Sequence, residues 1–391
     1  VPTTHQVIFY PVKNGDTTQI VLNNGRRILL DFCHRTKNEY DENPPIDLKQ
    51  RLKDELNEVG LDSFDVVAFT HADMDHIQGS TEFFELKYAQ KYQGPERIKI
   101  NELWVPAAML LEEADREHQS EEFILLRQEA RYRLLEGKGI RIFSKPKALL
   151  EWLEPKLAER GESKSSRDHL FIDAGSLVPG FELEFDGIEF FCHSPFIKHC
   201  DDGDIIRNRS ALVFSVRFLA NGYYYDFLEV GDADWEVLED IVSISKYHGN
   251  IDRLKWNLFN LPHHCSYLSL SEEKGEAETE PKGLVRELLM LGQPDAYMVS
   301  SSKPIPSWDS AYKEIQPPHI QAKKAYEKYL QLVGGRKFLV TMEQPSTDSP
   351  APLKFEITGG GITWRRSSVL IGAPALADSI PPRAGAGFGI L

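Results

Sequence analysis

The segment Thr70-His71-Ala72-Asp73-Met74-Asp75-His76 places two imidazoles and two carboxylates within six residues, His71 to His76. Such donors suit zinc, manganese or iron. The segment follows Asp65-Val66-Val67-Ala68-Phe69, a short apolar run with the character of a buried strand. A rigid strand would therefore present a loop whose alternate side chains turn inward, and Gly79 follows closely. Polar residues crowd many strand ends, but this density at this spacing favours metal ligation over a solvated turn. Further along, Asp232 follows the small Gly231 at the end of another apolar run, where the backbone can approach closely. Leu261-Pro262-His263-His264-Cys265-Ser266 then offers two adjacent imidazoles, which an extended segment points to opposite sides. One is read as a ligand and the other as facing substrate, with the choice between them open.

These segments resemble, in order, the motifs of the metallo-β-lactamase superfamily. His71-Ala72-Asp73-Met74-Asp75-His76 is similar to its His-x-His-x-Asp-His signature with Asp73 in place of the second His, a variant like that of the hydrolase domain of ComEC-like DNA-uptake competence proteins. Asn14-Gly15-Asp16 with Ile28-Leu29-Leu30-Asp31 resembles the opening Gly-Asp turn and first strand pair. Asn208-Arg209-Ser210-Ala211-Leu212-Val213, Gly231-Asp232 and Pro262-His263-His264-Cys265-Ser266 resemble later motifs, Cys265 standing for a Gly; Pro317-Pro318-His319 echoes a His-Pro segment. The likeness spans about residues 7–364.

The resemblance implies an αββα sandwich and two divalent metal ions, Zn or Mn. His71, Asp73 and Asp232 would hold one ion; Asp75, His76, Asp232 and His263 would hold the other. Asp75 or Asp232 would orient the attacking hydroxide, and His264 or His319 would protonate the leaving group. Two departures stand out: the oxygen donor at Asp73, and Asn208 nearest the place of the third-motif His. Both harden the first site, so Mn²⁺ competes with Zn²⁺ there, and a one-metal enzyme is the alternative.

The 391 residues are 41% hydrophobic and 27% charged, the balance of a globular chain, with a net charge of −15. That charge argues against a broad surface for non-specific duplex binding, which needs Lys and Arg to displace counterions. No apolar run reaches the ~20 residues that span a bilayer, and Val1–Tyr10 lacks the features of a signal peptide. Four cysteines without a CxxC pair read as reduced, buried thiols of a cytoplasmic protein. The Cys192-His193 and His199-Cys200 pairs fit no common zinc module, and Asp201, Asp202 and Asp204 fit no EF-hand loop. Ser266 lies close to His263 but lacks the third member of a triad.

Strands are expected at Val7–Tyr10, Gln19–Leu22, Arg27–Leu30, 65–69, Phe181–Phe185, Ile188–Cys192, Ala211–Phe218, Tyr223–Val230, Trp256–Leu261, Ala296–Ser300 and three short stretches between 338 and 364. Helices are expected where Leu52, Leu56 and Val59, or Trp235, Leu238 and Val242, recur at helical spacing. Residues of about 112–166 carry dense charge on helical runs and read as an insertion, a solvated helical hairpin that could also meet a protein partner. One domain over 1–370 and a flexible tail over 371–391 complete the organisation. The functional reading is hydrolysis of phosphodiesters, as a nuclease or cyclic-nucleotide phosphodiesterase, with an effector role in bacterial defence in view. The alternatives are a lactone, thioester or β-lactam hydrolase, and a non-catalytic partner-binding subunit.

Overall fold

A computed structural model describes residues 4–35, 46–112, 120–201 and 207–365. The chain enters through β1 (His5–Phe9), β2 (Thr18–Val21) and β3 (Arg27–Leu30), antiparallel neighbours joined by a loop over 10–17 and a shorter turn over 22–26. Then β4 (Ser63–Ala68), β5 (Lys99–Pro106), β6 (Ile140–Phe143) and β7 (Phe171–Ile172) add in parallel. A second sheet takes β8 (Ile188–Ser194), β9 (Val213–Ala220), β10 (Tyr223–Glu229), β11 (Trp256–Asn260), β12 (Gly292–Ser300) and β13 (Lys337–Val340). The chain returns to the first sheet as β14 (Leu353–Thr358) and β15 (Gly361–Arg365), giving the orders β15-β14-β1-β2-β3-β4-β5-β6-β7 and β13-β12-β11-β10-β9-β8.

Strand alternation assigns the faces. Val7, Phe9, Ile20, Ile28, Leu30 and Trp104 meet Phe190, Phe214, Val216, Phe227 and Leu258 between the sheets. The opposite face of the first sheet, with Tyr10, Val21, Leu29 and Val67, packs on Leu48, Leu52 and Leu56 and on helices at Glu121–Glu136 and Lys147–Ala158. The outer face of the second sheet packs on Trp235–Tyr247, Gly283–Leu289 and Ile320–Leu332. Helix, sheet, sheet, helix: the expected αββα sandwich is the observed fold. No helix among the described residues is long and apolar enough to cross a membrane.

Three sequence expectations change. The first concerns the segment 112–166, which is not a peripheral hairpin. Its helix buries Phe123, Leu126, Ala130 and Leu134, and β6 lies inside the nine-stranded sheet. Several of its charges have partners within the fold: Arg133 Nε donates to Glu129 at 2.6 Å, Glu122 accepts from the backbone of Gly79 and Thr81, and Arg131 donates to the Leu110 carbonyl. Charge density signals exposure only when the charges lack internal partners. Secondly, Phe181–Phe185 is not a strand, because Leu183–Asp186 forms a helical turn closed by Gly187 at φ 70°; Phe181 and Phe185 are spaced as well for a turn of helix as for a strand. Finally, the first helix, Leu48–Asn57, stops before Val59, which is exposed. All four cysteines are buried and none forms a disulfide. The tail and Asp202 and Asp204 of the acidic turn lie outside the described residues.

Candidate metal centre

The candidate ligands sit at the carboxyl ends of neighbouring parallel strands. β4 runs out into Thr70 and His71, β3 into Asp31, β10 into Asp232, and β11 into His263 and His264. Gly231 holds φ 51°, and a Cβ there would stand 3.2 Å from Thr70, so the two sheets touch where Asp232 turns inward. Gly15 fits its turn against Cys33 and Asp75, whose atoms a Cβ would meet at 2.8 and 3.0 Å; this brings Asp16 over the same cleft.

Asp16, His76, Asp232 and His264, all buried, offer one donor atom each within 4.8 Å of one another. Asp232 divides its oxygens. Oδ1 lies 3.2 Å from His76 Nε2, while Oδ2 lies 3.8 Å from both His71 Nε2 and His263 Nε2 and 4.0 Å from His264 Nε2. Asp75 Oδ2 is 3.1 Å from His264 Nε2, and Asp73 Oδ2 is 3.5 Å from His71 Nε2. The cleft therefore gathers His71, Asp73, Asp75, His76, Asp232, His263 and His264.

Proton placement tests whether these residues fit a cation. A carboxylate or carbonyl oxygen only accepts. Thr70 Oγ1, 2.6 Å from Asp31 Oδ2, must donate to it, and so accepts from His71 Nδ1 at 3.1 Å. His76 Nδ1 donates to Asp31 at 2.7 Å, and His264 Nδ1 to the Ser301 carbonyl at 2.9 Å. In each neutral ring Nε2 is then a bare lone pair facing carboxylates. His71 Nε2, His76 Nε2 and Asp232 Oδ1 are buried without a hydrogen-bond partner. Either extra protons or metal cations must occupy that space, and a divalent cation fits the donors.

The titration shifts describe the proton alternative. Burial opposes charge on His76, yet Asp232 and Asp31 raise its pKa well above 6.5. Burial likewise opposes charge on His264, and Asp232, Asp75 and Asp16 together lift it to about 9. Burial would raise Asp232, but the surrounding imidazoles hold it well below 3.8. Behind the cluster the buried Glu229 is pushed up to about 8 by desolvation and then by Asp16, while both its oxygens accept from the Asn260 amide.

Chain comparisons can now be set beside this geometry. No family model matches the chain, and no curated protein matches it. The solved structures it resembles include metal-dependent hydrolases and metallo-β-lactamases. One, from Parabacteroides distasonis and described as a metal-dependent hydrolase, is 10% identical over 86% of this chain and 93% of its own, with a TM-score of 0.34. A diphosphatase of the PhnP family is 9% identical over 90% and 98%, TM-score 0.33. The FEZ-1 metallo-β-lactamase of Legionella gormanii is 13% identical over 57% and 62%, TM-score 0.25.

The geometry around the cleft adds detail to the ligand scheme that the resemblance implies. Of the two imidazoles between which the choice was open, His264 belongs to the tightly grouped set, and His263 lies, like His71, 3.8 Å from Asp232 Oδ2. Left-handed backbone at His263, His264 and Cys265, φ 48°, 54° and 66°, splays the two rings, so the extended-segment rule did not apply. His319 is not in the cluster. Its Nε2 lies 3.1 Å from the Ile315 carbonyl and its Nδ1 faces the Tyr267 amide, so neither nitrogen is left for a leaving group. Asn208 makes no contact with the cluster among the described residues. Its neighbour Arg207 does, donating to Asp73 Oδ1 at 2.8 Å and to Glu112 at 2.7 Å, over the ring of Phe123. Asp16 and Asp31 entered the sequence reading only as turn and strand-end residues; the position of Asp31 directly after an apolar strand was the signal available.

Proposed function

We propose that the chain is a metal-dependent phosphodiester hydrolase that uses two divalent cations, with Mn²⁺ more effective than Zn²⁺. The observation carrying this reading is the donor set: bare imidazole nitrogens among four carboxylates, Asp16, Asp73, Asp75 and Asp232, at one cleft. Oxygen-rich sites suit hard cations, which also suit phosphoryl oxygens. His76, His264, Asp16 and Asp75 would hold one cation together with Asp232. His71, Asp73 and His263 would hold the other on the Oδ2 side, His263 standing in for the missing third-motif imidazole.

A bound cation of this kind supplies Lewis acidity and lowers the pKa of water toward neutrality. The protein's part is positioning. Asp31 fixes the tautomer and ring plane of His76, Thr70 does so for His71, and the Ser301 carbonyl for His264. Arg207 holds one oxygen of Asp73, leaving Oδ2 turned to His71. Asp75, at the edge of the cleft and partly exposed, is placed to accept a proton from water or to orient it.

The testing experiment is metal analysis combined with a substrate panel. Single-stranded, double-stranded and cyclic nucleotide substrates, with a lactone and a β-lactam for contrast, would be incubated with Mn²⁺ or Zn²⁺. Cleavage of a phosphodiester alone, faster in Mn²⁺, is the expected result. Turnover of the lactone or β-lactam alone would overturn the substrate class, and faster turnover in Zn²⁺ the metal preference.

A further inference from the structure

A second charged cavity lies on the helix-covered face of the first sheet, away from the metal centre. It has a volume of about 380 Å³, and its lining includes Ile8, Val21, Arg27, Arg51, Glu55 and Lys354. None of its lining residues belongs to the metal cluster.

Arg27 is its central feature. Position 27 pairs with Val21 across β3 and β2, and only 8% of Arg27 is exposed. Its guanidinium makes no ion pair among the described residues. With the Gln19 amide turned so that its oxygen accepts, Nη1 donates there at 2.8 Å, but the buried Nε has no partner. A guanidinium stays charged at any physiological pH, and a buried charge without a counter-ion is strongly unfavourable.

The nearby carboxylates do not meet this need. Glu55 is already engaged: Oε1 accepts from Arg51 Nε at 2.6 Å, and Oε2 accepts from the Tyr10 hydroxyl at 2.6 Å. Lys354, reaching over from β14, also makes no ion pair among the described residues. Setting aside the Arg51–Glu55 pair, the cavity holds Arg27 and Lys354 against Glu58 alone, an excess of one positive charge. Ile8 and Val21 form an apolar floor between the two cations, and Ala351 and Pro352 line the cavity beside Lys354.

From this arrangement we infer that the cavity is a binding site for a small anion, whose carboxylate or phosphoryl group docks on the part of the Arg27 guanidinium that lines the cavity. A planar guanidinium edge accommodates either group in a two-pronged contact. Lys354 meets a second polar group, and a short uncharged body lies on Ile8 and Val21. The site is independent of the metal centre and of the reaction proposed there.

Thermal melting of the metal-loaded full chain would test this, with inorganic phosphate and succinate as probes and chloride at matched ionic strength as reference. A saturable rise in the melting midpoint is expected from at least one probe, because a ligand that binds the folded state stabilises it. The responding probe identifies the anion class. Lys354→Gln, a partly exposed position, should raise the half-saturating concentration several-fold, and Arg27→Gln should abolish the response. Asp75→Asn should leave it intact, which separates this site from phosphate bound at the metals. If Arg27→Gln does not fold, Lys354→Gln decides alone. No rise beyond chloride, or a rise that survives Lys354→Gln and disappears in Asp75→Asn, would overturn the site.

Discussion

Asp31 Oδ2 lies 2.7 Å from Nδ1 of His76, and both side chains are buried. The contact fixes which nitrogen of His76 carries the proton and points Nε2 at Asp232 and Asp16. Asp31 also accepts from the Thr70 amide and hydroxyl, so one carboxylate sets the orientation of two candidate ligands, His76 and, through Thr70, His71.

Replacing Asp31 by Asn should therefore weaken metal binding by about 10- to 100-fold, the usual effect of losing a partner behind a ligating imidazole. The fold should persist, because the isosteric amide still accepts from Thr70. Competition against a chromophoric chelator measures the affinity. An unchanged dissociation constant would mean that His76 is oriented by something other than Asp31.

Arg207 is expected to act through Asp73. Arg207→Met frees Asp73 to rotate, so the cation on the His71 side should be lost first and bound metal should fall from two equivalents toward one. Arg207→Lys should rescue poorly, because a single ammonium cannot reach Asp73 and Glu112 with the same fork. Stoichiometry by elemental analysis at micromolar protein is the measurement; two equivalents retained by Arg207→Met would remove Arg207 from the site.

Metal-free protein should lose stability as pH rises. His264 titrates near 9 in the fold, against 6.5 in the unfolded chain, because the carboxylates around it outweigh its burial. The extra stability is therefore present in full below pH 6.5 and lost as pH climbs through 9, on the order of 3 kcal/mol for the one ring. Urea unfolding at pH 6, 8 and 10 after chelation would follow this loss. With metal restored the loss should be small, since the cation replaces the protons. A flat profile in metal-free protein would show that the imidazoles are not held against carboxylates.

The strands were legible because short apolar runs such as Val7–Phe9 and Ile28–Leu30 lie between turn residues, and the cluster at 71–76 was legible because four donors crowd one strand end. What was not legible had long-range causes. Asp16 joins the centre only because Gly15 packs against Asp75, and Arg207 only because its loop crosses to Asp73, 134 positions earlier. The helix at Glu121–Glu136 read as solvated because its Glu129–Arg133 pair is invisible until the chain closes over it. The choice between His263 and His264 depended on three consecutive left-handed residues, and Pro-His-His-Cys carries no local signal for that backbone.

The most direct test of the central claim is a titration of metal-stripped protein with Mn²⁺ while cleavage of a responsive phosphodiester is followed. The account predicts no cleavage without metal, a rise that levels off near two equivalents per chain, and none at any Mn²⁺ concentration in Asp232→Asn, whose carboxylate faces both sides of the centre. Cleavage that persists in excess chelator, or that Asp232→Asn retains at the wild-type rate, would contradict it.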